Sequence, residues 1–421
     1  MDRRTSTGLT IAAALMMLAA GPVNAQLGGA LPSAPLPVDP LGTVGKVRDA
    51  VGEVTETALD PVEEAASGAR TLARKRLQRI AHYVSDHQDV VAWDERHQPA
   101  VRGVVLLLDP DQMALDVARR EGYSVLEQGE IDGLDTRYAR LAVPEAMSLA
   151  KSVKRLRKAL PGHDVSADQL YFPSGRTVAV GTAAAASSGA LPRGGTVGVI
   201  DGGISGSDLL AGQRGFAKGA PHRSDHASAI ASLLAGAGTA RVYGADVYGT
   251  DPAGGNALAI AKALGWMRTQ GVPVVSISLV GPANPLLGRA ISAARTRGMV
   301  VVAAVGNDGA AAPPAYPASY PGVVAVTGVD GAGRVLIEAG RASHLDYAAP
   351  GADMSAIVPG KGRIDLRGTS FAAPLAASRI AARLTSGTRA SQALKAVDSE
   401  AVDASRRTGR GIVCDICRSG L

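Results

Sequence analysis

From Thr196 onward, short runs of Val, Ile and Ala alternate with stretches of helical periodicity, and this alternation restricts the fold more than any other feature of the chain. Strands are expected over Thr196 to Ile200, Val242 to Val247, Pro273 to Leu279, Met299 to Val305 and Val323 to Val329. Helices are expected over Asp225 to Ala235, Ala257 to Gln270, Pro285 to Arg297 and Ser370 to Leu384. Strands that are apolar at every position must be covered on both faces, as in a parallel sheet sandwiched between helical layers. The fold class of this part is therefore α/β. Aromatics make up only 3% of the chain, so its core is expected to be built from Ala, Val, Leu and Ile.

The part before Leu191 has a different character. Met1 to Ala25 carries Arg3 and Arg4, an apolar run from Leu9 to Ala20, and small residues at Val23-Asn24-Ala25, the pattern of a secretory signal peptide. That run is short for a membrane span and no later stretch is long enough, so stable membrane insertion is not expected. The remainder, residues 26–98, divides into a Pro/Gly-rich linker to Gly45 and a helical segment from Lys46 to about Val91. Across residues 99–175 the pattern runs strand (Val101 to Leu108), helix (Gln112 to Glu121), strand (Tyr123 to Gln128), strand (Arg137 to Val143), helix (Pro144 to Leu160) and extended segment (Val165 to Phe172). This order is the split βαβ, or ferredoxin-like, arrangement. An Ala/Ser/Gly-rich connection over residues 176–193 then leads into the α/β domain, residues 194–421. The excess of Lys and Arg lies after Leu191, as scattered Arg without interleaved aromatics, which argues against nucleic acid as a partner. Cys414 and Cys417 favour a local disulfide in an exported chain. Two thiols make a poor zinc site, and no helix–strand pattern beside them suggests a thioredoxin-like role.

Chemistry-bearing residues fall beyond the expected strand ends, where ligands of such sheets bind. Asp201 ends the strand Val197-Gly198-Val199-Ile200, His226 opens a helix, Asn307 follows the strand Met299 to Val305, and Ser370 sits in Gly368-Thr369-Ser370-Phe371-Ala372-Ala373-Pro374 at the start of another helix. Each alone is a common turn or cap residue. Together they supply a nucleophile, a base, a carboxylate to orient the base and a side-chain amide for an oxyanion, which is the set that acyl transfer needs. A helix N-terminus adds unpaired N–H groups beside Ser370. Pro374 is placed in the first turn of that helix, where its missing N–H costs little. The Gly-Thr-Ser-Phe-Ala context is not the G-x-S-x-G elbow of lipases, and Asp201-Gly202-Gly203 lacks the spacing of a dinucleotide-binding loop, so no cofactor is expected.

With these four motifs in this order, the chain resembles the subtilisin-like serine proteases from Thr196 to about Val413; the order Asp, His, Ser is the known one for that family. The resemblance implies hydrolysis of polypeptide substrates, with Asp201 orienting, His226 as general base and acid, Ser370 as nucleophile and Asn307 as oxyanion donor. Ser276, Ser278, Leu279, Val280 and Gly281 resemble the family's substrate-binding strand, where a peptide pairs as an extra strand, with the loop Asp251 to Gly255 as the opposite edge. The ferredoxin-like region resembles the inhibitor-type propeptide of these enzymes, which implies a zymogen whose own propeptide acts as inhibitor and folding aid. Ser166 to Gly175 would then be the tail in the cleft, with self-cleavage between Phe172 and Pro192. A domain that stays attached as an accessory module is the alternative.

Departures from the family pattern are Gly202 where Ser or Thr is usual, Ala227-Ser228 where Gly-Thr is usual, and Val280 where the substrate strand generally has Gly. The last implies either a narrowed specificity pocket or a shifted peptide. These departures also motivate a second reading, an inactive relative that binds peptides through the same cleft. An exported, periplasmic or secreted location follows from the leader. The segment Gly236 to Tyr243 is short and lacks the Asp/Asn cluster of the family's calcium loop, so no metal is expected there. Thermal melting with and without a chelator should accordingly give the same midpoint, and a large drop with chelator would contradict this reading.

Overall fold

In the computed structural model, residues 67–174, 176–178 and 192–420 are described. The expected signal peptide and Pro/Gly-rich linker, the start of the expected helical segment and most of the 176–193 connection lie outside them. Helix α1 covers residues 67–86 and leads into β1 (Val91–Trp93), β2 (Pro99–Leu108), α2 (Gln112–Arg120), β3 (Ser124–Ile131), β4 (Thr136–Ala142), α3 (Leu149–Ala159) and β5 (Val165–Gln169). The strands form an antiparallel sheet in the order β5-β2-β4-β3, with β1 on the first residues of β2. This is the split βαβ arrangement read from the pattern. Helix α3 begins five residues later than the expected Pro144 because Ser148 is extended and caps Lys151 N with its hydroxyl.

Strand β2 is apolar at successive positions because both of its faces are covered. Val105 and Leu107 pack with Leu115 and Leu156 under α2 and α3. Val104, Leu106 and Leu108 join the core of the second domain, against its helices α5 (Ala257–Thr269) and α6 (Pro285–Thr296). Close approach there requires a glycine: a Cβ on Gly265 of α5 would stand 2.4 Å from the Asp132 carbonyl oxygen.

After β5 the chain forms the short strands β6 (Phe172–Pro173) and β7 (Arg176–Val178) before entering the second domain. A parallel sheet runs β15 (Tyr347–Pro350), β14 (Val324–Val329), β13 (Val300–Ala304), β11 (Val274–Ile277), β8 (Thr196–Asp201), β10 (Arg241–Asp246), β9 (Leu210–Gly215). Helices α4 (Asp225–Gly236) and α7 (Thr369–Arg383) cover one face, taking Val197, Val199, Val300 and Val302. On the other face α5 and α6 take Ile200, Val275, Val301 and Ala303. An antiparallel pair, β16 (Met354–Val358) and β17 (Gly362–Arg367), accepts β7 as a third strand, and α8 (Ala390–Asp398) packs on α7. Cys414 and Cys417 form a disulfide.

The expected strand Pro273 to Leu279 is two strands. Strand β11 ends at Ile277 inside the sheet, and β12 (Leu279–Val280) leaves it to pair antiparallel with β6. Likewise Val165 to Phe172 breaks after Gln169, where the chain passes from one domain to the other.

Polar contacts seat the small domain on the helix starts of the large one. Asn284, which caps α6, donates to Gln169 Oε1 at 2.6 Å and to the Ala167 carbonyl at 3.1 Å. Asp168, between them on β5, accepts from Leu258 N of α5 at 3.1 Å while its other carboxylate oxygen is buried without a partner. Burial pushes the Asp168 carboxyl up to about 6 from an ordinary 3.8, although Arg140 and Lys262 face it. The native chain therefore holds a proton there that the unfolded chain has released. The stability due to that proton is complete below about pH 4 and is lost as the pH rises through 6. Urea unfolding of the parent and of Asp168→Asn between pH 4 and 7 should show the variant gaining on the parent, on the order of 1–3 kcal/mol, over that window and no further above it. A constant offset across the window would contradict it.

Candidate active site

Strand β8 is central in the sheet, and its last residue, Asp201, is 1% exposed. Its Oδ1 accepts from Gly202 N at 2.8 Å and its Oδ2 lies 2.9 Å from His226 Nδ1. His226 is the second residue of α4, whose cap Ser224 accepts from Ala227 N. Gly202, in place of the usual Ser or Thr, follows from this packing: a Cβ there would lie 2.5 Å from Ser224 Cβ. Ser228, another of the small replacements, bonds the Ser224 carbonyl at 2.7 Å. His226 Nε2 is buried without a hydrogen-bond partner. Between α4 and β10 only residues 237–240 intervene.

Ser370 is the second residue of α7, and the residue that caps the helix, Gly368, has a φ of 140° that is open to glycine. Thr369 ties this start to the end of β13, with its N–H donating to Asn307 Oδ1 at 3.0 Å and its hydroxyl accepting from Gly306 N at 3.1 Å. Asn307 Nδ2 remains buried and unpartnered. Pro374 is the sixth residue of α7, not part of its first turn, because the helix starts at Thr369. A proline there cannot donate to the carbonyl four residues back, which belongs to Ser370. Ser278 supplies the missing donor, its hydroxyl bonding the Ser370 carbonyl at 2.8 Å. In return the Ser370 hydroxyl reaches the Ser278 carbonyl at 3.3 Å.

Residues 170–174 of the small domain's tail lie along this cleft. Leu170 bridges to Asn256 and Tyr171 N donates to the Gly255 carbonyl at 2.8 Å on one side. On the other side Phe172 and Pro173 pair with Val280 and Leu279, and Ser174 N donates to the Ser278 carbonyl at 3.1 Å. Ser370 N donates to the Ser174 carbonyl at 3.4 Å, and the two serine hydroxyls are 2.7 Å apart. Of the expected substrate strand, Ser278, Leu279, Val280 and Gly281 thus line the cleft. Ser276 does not. It is held inside the sheet between β8 and β13, 1% exposed, with its hydroxyl unpartnered.

Two further groups went unnoticed in the sequence. Asp308, next to Asn307, receives Arg76 Nε at 3.0 Å and Arg79 at 2.8 Å, both from α1. Tyr83, also on α1, packs edge-on against Phe172 and donates to the Pro252 carbonyl at 2.6 Å. The basic run in the helical segment was the signal, but a basic helix has no address until an acidic partner is located. Among the described residues, no group of three or more His, Cys, Asp or Glu is placed to hold a metal ion.

A family model described as the Subtilase family matches residues 193–402. Subtilisin BL of Lederbergia lenta is 33% identical over 207 residues, covering 45% of this chain and 76% of that one. This chain belongs to the subtilase family. It is a serine endopeptidase, and all four candidate residues of the subtilase lie within the matched span. Among solved structures, fervidolysin from Fervidobacterium pennivorans, a keratinolytic enzyme related to subtilisin, superposes with a TM-score of 0.61 at 18% identity, over 76% of this subtilase and 61% of that chain. The epidermin leader peptide processing serine protease of Staphylococcus aureus superposes with a TM-score of 0.57 at 14% identity, over 76% of this chain and 98% of that one. Those two likenesses concern the fold.

The Ser278–Pro374 exchange is testable by a double-mutant cycle. Ser278→Ala alone leaves the buried Ser370 carbonyl without a donor and should cost about 1–3 kcal/mol. In a Pro374→Ala background the restored helical N–H takes over, so the same change should cost much less there. Equal costs in both backgrounds, read from chemical denaturation, would refute the exchange.

Proposed function

We propose that this subtilase is made as an exported zymogen that cleaves its own chain between Ser174 and Gly175 and thereafter hydrolyses other polypeptides by the same chemistry. The observation that carries the reading is the Ser174 carbonyl, which accepts the Ser370 N–H while its chain is strand-paired on both sides. In this reading Ser370 Oγ attacks the carbonyl carbon of Ser174 and its proton passes to His226 Nε2. Asp201, bonded to Nδ1, fixes the ring orientation and stabilises the imidazolium. The negative oxygen is held by Ser370 N–H and by the free Nδ2 of Asn307, and removing one such donor typically costs on the order of 100-fold or more in rate. Collapse expels the Gly175 amine, which takes the proton from His226. Water, deprotonated by the same ring, then releases the acyl group from Ser370.

The ferredoxin-like domain and α1 act in this reading as the inhibitor. The tail is a substrate held in register, and the clamp of Arg76 and Arg79 on Asp308 with Tyr83 on Phe172 would keep the cut product seated. Among the described residues no helix is long and apolar enough to cross a membrane, and export rests on the leader pattern.

The test is to incubate the secreted protein and its Ser370→Ala variant with an active-site serine phosphonate and with casein, and to read masses. The parent should label, cut casein and lose the residues before Gly175, while the variant does none of these and persists uncut. A folded parent, free of the small domain, that neither labels nor cleaves would instead favour a peptide-binding protein.

A further inference from the structure

Residue 174, which precedes the bond beside Ser370, has little room around its side chain. Ser174 is 4% exposed, and its hydroxyl already touches Ser370 Oγ and, at 3.1 Å, the Ser278 carbonyl. Ser174 is bonded to Ser278, and Phe172, two residues earlier, is paired with Val280, so by the two-residue period of a strand the side chains of Ser174 and Val280 share one face of the cleft. On that face Val280 reaches across to the Gly306–Asn307 turn. Its Cγ1 lies 3.2 Å and its Cγ2 3.7 Å from the position a Cβ on Gly306 would take, so its branched end spans from one backbone to the other. Gly306 has φ of 89°, and its lack of a side chain makes room for this contact.

A cavity of about 260 Å³ exists beyond, lined by Val280, Val305, Gly306, Pro313 and Tyr316, with Arg76 and Asp308 at its edge. Ser174 is not among its lining residues. The volume for a large side chain is present, and Val280 lines it while Ser174 does not.

Resting on the protease reading above, we propose that Val280 restricts this enzyme to cleavage after small residues, namely Ser, Ala and Gly, and is its specificity-determining residue. The chain's own Ser174 obeys the rule. A branched side chain clamped between two backbones has one χ1 position and cannot swing aside as a longer, flexible one would.

The experiment uses the matured secreted protein with two quenched peptides that differ only in the residue before the scissile bond, Ala in one and Phe in the other. The parent should favour the Ala peptide in kcat/KM by about 100-fold, the range over which a filled pocket discriminates. Val280→Gly should reduce that preference at least tenfold by raising cleavage of the Phe peptide. A precursor carrying Ser174→Phe should mature slowly, and Val280→Gly in the same chain should restore its maturation. The proposal is overturned if the parent, labelled by the phosphonate and active on casein, cuts the Phe peptide as well as the Ala peptide. It also falls if Val280→Gly, folded by circular dichroism, leaves the ratio unchanged. A parent that is neither labelled nor active on casein removes the protease reading and this proposal with it.

Discussion

A helix that gives up one of its own hydrogen bonds holds the cleft together. Helix α7 is buried from Thr369 to Ala381, so every backbone group in that stretch must find a partner inside the protein. Pro374 removes one internal donor, and the carbonyl it frees is that of Ser370, the residue at the centre of the candidate site. Ser278 fills the vacancy and so joins the segment along which residues 172–174 lie to the helix that carries Ser370. Thr369 makes the corresponding connection to Asn307. Each exchange satisfies a buried backbone group that would be costly to leave unpaired, and so ties these segments together.

The same economy of backbone partners explains how the tail is held. Residues 170–174 gain strand pairing from Gly255 and Asn256 on one side and from Ser278 to Val280 on the other. Pairing through the main chain is indifferent to side chains, so it sets register without selecting sequence. Any selection must come from side chains beside the paired tail, and Val280 is the one paired with Phe172 there. The small domain adds a second anchorage, since its sheet is buried on both faces and its last strand, β5, meets the starts of α5 and α6 through Asp168 and Asn284.

Much of the fold was legible because burial on two faces leaves a mark in composition. The central strands β8, β10, β11, β13 and β14, the helices α4 to α7 and the split βαβ order all showed it. Strands β9 and β17 did not, since Leu210–Gly215 and Gly362–Arg367 are short and mix glycine and arginine with few apolar residues. They are strands because a neighbour offers an edge. The division of Pro273 to Leu279 at Ser278 was hidden for a related reason: both halves are apolar, and only the partner each finds separates β11 from β12.

At the site, the sequence by itself determined which groups are present. Asp201, His226, Asn307 and Ser370 lie at strand ends and helix starts, and local pattern marks those positions without knowledge of the remainder of the chain. Tertiary structure alone decided what those groups touch. The contact between Ser174 and Ser370 joins residues 196 apart in the chain, and that between Ser278 and the Ser370 carbonyl joins residues 92 apart. Arg76 meets Asp308 and Val280 meets Gly306 only because separate elements converge on one cleft. Periodicity reports which face of an element is buried, but it carries no information about which other element supplies the cover.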